Sequence, residues 1–134
     1  ISTVDTTGFN NLFSANVDGE LWEPQTVVAF ETDTSIVVKA SKSDWEIIEM
    51  IFPTDVNTGI QDISSSGPVW ASYQLGFDTY NASAGSTTVS SHDMENNELN
   101  GTFFLNVEDN EDETIPISEG SYSIQDTAYA GSSR

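Results

Sequence analysis

The sequence predicts an all-β domain, an antiparallel meander folded as a β-sandwich or a flattened β-barrel, and three observations predict it. Short runs rich in β-branched and aromatic residues recur at intervals of about 8–12 residues, separated by Gly, Asn, Asp and Ser clusters. Several runs alternate apolar and polar residues with the period of two that a half-buried strand requires. No stretch sustains helical periodicity for the length of a stable helix. At 134 residues the chain encloses one hydrophobic core.

Residues 1–11 (ISTVDTTGFNN) read as an N-terminal tether and 125–134 (QDTAYAGSSR) as a tail, leaving 12–124 as the β domain. FSANVDGELW reads as a hairpin, with Asp18-Gly19 supplying the positive φ of a tight turn between Phe13-Ala15-Val17 and Leu21-Trp22. In SIVVKAS, Ile36, Val38 and Ala40 share one face. SDWEIIEMIF is ambiguous. Ser43 and Glu46 have capping-box spacing, but Glu46, Ile48, Met50 and Phe52 alternate against Trp45, Ile47, Glu49 and Ile51, and Pro53 ends the run at strand length, which favours a strand. VWASYQLGF places Val69, Ala71, Tyr73, Leu75 and Phe77 inward and Trp70 outward. GTFFLNVED places Phe103, Leu105 and Val107 inward and Phe104 outward. Further strands are expected in QTVVAFE, STTVSS, TIPIS and SYSI.

Charge narrows the function classes. Lys39, Lys42 and Arg134 stand against 22 carboxylates, a formal charge of -19, so nucleic acid and anionic lipid surfaces are repelled. Neutral sugars, divalent cations and basic protein patches remain compatible. The absence of cysteine removes disulfides, thiolate nucleophiles and cysteine zinc sites. No apolar run reaches the roughly 18 residues of a membrane span, so no transmembrane segment is expected. Because the numbering opens at Ile1, a targeting segment is expected to have been removed.

FSANVDGELW, YNASAGSTTVSSHD, ELNGTFFLNV and IPISEGSY occur in that order. Together they resemble the small β-rich domains of uncharacterised Bacteroidota lipoproteins, with their F-x-A-x-V-D-G-x-x-W opening, G-T-F-x-F strand and closing G-x-F/Y. The resemblance spans most of residues 12–124. It implies export to the outer membrane or cell surface of a Gram-negative bacterium, with a lipid anchor upstream of residue 1. It carries no catalytic residues.

Candidate chemistry is sparse. Glu108, Asp109, Asn110, Glu111, Asp112 and Glu113 form the densest oxygen cluster, and Ca²⁺ is the ion such ligands suit. The run lacks EF-hand spacing, so a solvated acidic turn that blocks edge pairing is the competing reading. Asp55, Asn57 and Asp62 make a weaker set. Ser90, Ser91, His92 and Asp93 hold every residue type of a hydrolytic triad, yet neighbours on a strand point to opposite faces and a triad draws on distant segments. A glycosidase needs two carboxyls roughly 5–10 Å apart, a distance sequence does not give. Outward Trp70 and Phe104 are candidate contacts for a sugar or a protein partner. Asn81 and Asn100 head N-glycosylation sequons, and Thr6 and Thr127 sit in Asp-Thr pairs like those O-glycosylated on exported Bacteroidota proteins.

The expectation is therefore a non-enzymatic cell-envelope accessory domain that binds another envelope protein. The alternative is a carbohydrate- or calcium-binding module.

Overall fold

A computed structural model describes residues 11–64, 67–93, 98–109, 111, 113–124 and 128–129. The described residues form β1 (Leu12–Val17), β2 (Glu20–Trp22), β3 (Thr26–Glu31), β4 (Ser35–Ser43), β5 (Glu46–Pro53), β6 (Gly59–Asp62), β7 (Trp70–Leu75), β8 (Asp78–Asp93), β9 (Glu98–Glu108), β10 (Thr114–Ile124) and β11 (Ala128–Tyr129). One sheet runs β11-β3-β4-β5-β7-β8-β9-β10-β1-β2, with β6 beside β8. Its named strands pair antiparallel except β11, which joins β3 in parallel. The sheet curls into a half-barrel.

Alternation explains most of the strands. Ile36, Val38 and Ala40 on β4, Ile48, Met50 and Phe52 on β5, and Phe103, Leu105 and Val107 on β9 are all buried, as the period of two requires. Residues 46–53 are thus a strand. Ser43, instead of starting a helix, accepts the Trp45 N–H at 3.2 Å within the β4–β5 turn. The Asp18-Gly19 turn has φ of 53° and 84° at its two residues, as the β1–β2 hairpin demands.

Two strands depart from simple alternation. β8 is 16 residues long and pairs with β9 along one edge, while its other edge is divided between β7 and β6. Shifts of register at Ala82/Ala84 and Val89/Ser91 bend it. The expected tail also contributes structure, since Ala128 and Tyr129 pair with Phe30 and Glu31.

The facing strands approach closely where β9 meets β10. Gly101 pairs with Tyr122 and Gly120 with Phe103, so two Gly-x-aromatic triplets lie antiparallel with each ring over the other's glycine. A methyl group on Gly120 would stand 2.4 Å from the Phe103 ring, and one on Gly101 2.5 Å from the Tyr122 hydroxyl oxygen. Neither position has room for a side chain. The Phe103 and Tyr122 rings stack at 6.2 Å, Phe13 meets Phe103 at 5.3 Å, and Phe52 reaches Tyr122 from β5 at 5.3 Å. β5 and β10 are four steps apart in the sheet, so that last contact crosses the interior.

Polar atoms in this core are matched. Fully buried Thr87 donates to the Thr102 carbonyl at 2.7 Å, which leaves its oxygen to accept the Tyr122 hydroxyl at 2.8 Å. Among the described residues every buried side-chain nitrogen and oxygen has a partner.

Gly101→Ala and Gly120→Ala should each lower stability by about 2–3 kcal/mol in urea denaturation, the size of an overpacking clash. Ser121→Ala, between Gly120 and Tyr122 but on the exposed side, should stay within about 0.5 kcal/mol. Equal effects at the three positions would contradict the ring-over-glycine arrangement.

Candidate functional site

Strand register brings the β1–β2, β4–β5, β7–β8 and β9–β10 turns to one end of the sheet. Two of these turns carry the most conspicuous surface feature. In the two-residue loop between Leu75 and Asp78, Gly76 has φ of 65° and occupies the first central position, which type II′ hairpins reserve for glycine. The chain therefore leaves β7 at Leu75, and Phe77 projects from the turn at 93% exposure. This corrects the inward placement that alternation assigns to Phe77. Leu75, also expected inward, is 41% exposed at the strand end. A Gly-x pair between two strands was the signal that could have located the turn.

Trp45 projects from the adjacent β4–β5 turn and is 56% exposed. Its carbonyl accepts the Gly76 N–H at 2.7 Å, so the two hairpin tips are tied by their backbones. The Trp45 and Phe77 rings meet edge to face at 5.3 Å and 65°. Exposed Asp44 precedes Trp45 and exposed Asp78 follows Phe77. Beside them an open depression of about 380 Å³ is bordered by Phe77, Thr79, Asp78, Asp109 and Glu111. An apolar pair thus stands among carboxylates.

Beneath this tip lies a hydrogen-bonded frame. Glu46 Oε2 accepts both the Trp22 indole N–H at 2.7 Å and the Tyr73 hydroxyl at 2.8 Å, linking β2, β5 and β7. The Tyr73 ring packs 6.0 Å from Tyr80, whose hydroxyl donates to Glu113 at 3.2 Å. Burial, followed by Glu46, pushes the Tyr73 phenol far above the ordinary tyrosine value. Burial and Glu113 raise Tyr80 in the same sense. Burial lifts Tyr122 to about 12, against the smaller, lowering effect of its hydrogen bond with Thr87.

The acidic run serves the β9–β10 turn. Asp109 Oδ1 accepts the backbone N–H groups of Glu111 and Glu113, both at 2.9 Å, and its own N–H reaches the Glu113 carbonyl. Glu108 pairs with Thr114 at the strand end. Asn110 and Asp112 lie outside the described residues, as do Thr6 and Thr127. Among the described residues no three Asp, Glu or His side chains gather as metal ligands, Asp55 and Asp62 included.

His92 makes a bond that joins two segments of the fold. Its Nδ1 lies 2.8 Å from the Val56 carbonyl, an acceptor only, so the proton resides on Nδ1 and ties β8 to the loop after β5. Ser91 instead accepts the Asn100 side-chain amide, and Asn100 Oδ1 accepts Ser123. The SSHD segment therefore brings no serine to the histidine ring through these bonds.

Of the two outward aromatics the sequence singles out, Phe104 is 59% exposed, whereas Trp70 is half-buried opposite Ile51. The two are not neighbours, since β8 separates β7 from β9.

The chain is thus a curled, mainly antiparallel sheet that displays aromatics on two hairpin tips. The model of one family, a domain of unknown function (DUF6252), matches residues 10–123, and the chain belongs to that family. No curated protein and no solved structure matches it.

The raised tyrosines fix the sign of an alkaline response. A tyrosine whose folded value exceeds its unfolded value of about 10 contributes stability that is complete below pH 10 and lost as pH climbs through the folded value. For Tyr122 that window runs from about pH 10 to about 12, and the loss is about 2–3 kcal/mol. Urea midpoints measured by circular dichroism should fall across this range, and fall less in Tyr122→Phe. A flat profile, or an unchanged slope in the variant, would refute the burial of the Tyr122 hydroxyl.

Proposed function

We propose that this chain is a non-enzymatic accessory domain of the bacterial cell envelope that binds another envelope protein, and that the partner seats on the Trp45–Phe77 tip. The observation that carries this reading is the exposed edge-to-face pair, held by the Gly76 N–H bond to Trp45 and bordered by Asp44, Asp78, Asp109 and Glu111. Exposed aromatics on rigid turns lose little entropy on docking, and such residues dominate interface energetics. The flanking carboxylates select a partner with a basic rim around an apolar pocket. The envelope location is supported by the resemblance of the FSANVDGELW, GTFFLNV and EGSY segments to exported lipoprotein domains.

The test is recovery of a native complex from envelope fractions of the source bacterium, using wild type and the double variant Trp45→Ala/Phe77→Ala. Wild type should retain a partner, with binding that weakens from about 50 to about 500 mM salt. The double variant should lose it by tenfold or more, about 1.4 kcal/mol or above, while its melting temperature stays near that of wild type. A wild-type protein that remains strictly monomeric with no recoverable partner would refute the reading. So would a partner held equally well by the double variant.

A further inference from the structure

A second surface, independent of the hairpin tips, lies on the convex side of β8, β9 and β10. Phe104 stands there between two open grooves, one of about 450 Å³ edged by Ser86, Thr88, Thr102, Glu119 and Ser121, the other of about 180 Å³ edged by Ala84, Asn106 and Pro116. The larger falls within the roughly 300–1,000 Å³ usual for small-molecule sites. Its chemistry differs from the rest of the molecule. On a chain with 22 carboxylates, Glu119 is the one charged residue lining either groove among the described residues, and hydroxyls make up most of the polar edge.

Glu119 is placed there by an unusual backbone. The register of β10 shifts between Ile117 and Gly120, and Glu119 takes φ of +50°, a left-handed conformation that strains a residue with a side chain. Bulges of this kind redirect side chains. Asn16 on β1 donates to its Oε2 at 2.9 Å and holds the carboxylate at the groove.

We infer that this face binds a neutral polysaccharide. The exposed ring of Phe104 offers a platform for the C–H face of a sugar, the Ser and Thr hydroxyls can donate and accept, and Glu119 is a fixed acceptor for sugar hydroxyls. Acidic glycans are excluded, because the described residues lining the grooves include no cation to meet them and the net charge of the chain repels anions.

Affinity electrophoresis through gels containing glucan, mannan, galactan, xylan or, as the acidic control, polygalacturonate tests this inference. At least one neutral polymer should retard the wild-type protein and polygalacturonate should not. Titration calorimetry with a hexasaccharide of the retarding polymer should then show affinity about tenfold weaker or more in Phe104→Ala, largely kept in Phe104→Tyr, and reduced in Glu119→Gln. Melting temperatures of these exposed-site variants should match wild type. Trp45→Ala/Phe77→Ala should bind the sugar normally, so failure of either surface is read separately. Absence of retardation by all four neutral polymers, or retardation that persists unchanged in Phe104→Ala, would overturn the assignment.

Discussion

The core of this curled sheet depends on rings packing close against the backbone of a facing strand, and two glycines make the room for them. At Gly101 and Gly120 the missing side chains let Tyr122 and Phe103 lie flat across the neighbouring strand. The rings fill the concave side close to the backbone, and Phe13 and Phe52 pack onto them from β1 and β5. Trp22 packs on the same side, meeting Phe13 edge to face at 6.2 Å and donating its indole N–H to Glu46 on β5. That bond joins β2, at one edge of the sheet order, to β5 in its interior, six steps away. At β9 and β10 one local exchange of bulk for space thus brings strands distant in the sheet order into one core.

This arrangement gives the family-like motifs a physical meaning. Phe13, Ala15, Val17 and Trp22 come from the opening segment, Gly101 and Phe103 from the middle one and Gly120 and Tyr122 from the closing one. All but Val17 are buried, and Val17 packs against the core. The family match over residues 10–123 covers these positions, which build the fold. The aromatics facing solvent, Trp45, Phe77 and Phe104, lie outside that interior set.

The strands were largely legible because burial on one face leaves a period of two in the sequence, as β4, β5 and β9 display. The Asp18-Gly19 turn was legible because positive φ restricts the residue types that tolerate it. Phe77 was misplaced for the converse reason. Alternation read past Gly76 as though the strand continued, whereas the glycine ends it. Trp70 faces the side that alternation assigns, but how far neighbours cover it depends on packing that no local pattern encodes. The sheet order and the Glu46 bonds to Trp22 and Tyr73 join residues 24 and 27 positions apart, so they were not readable from adjacent residues. The acidic run was legible as a turn, but the commitment of Asp109 to two backbone N–H groups emerged only from geometry.

The central claim is that each ring covers a glycine on the facing strand. Proton NMR of the labelled protein measures this directly through ring-current shifts and nuclear Overhauser contacts. The account predicts upfield-displaced α-protons at Gly101 and Gly120, with contacts from Gly120 to the Phe103 ring and from Gly101 to the Tyr122 ring. Glycine α-protons at ordinary positions, with no contact to either ring, would contradict it.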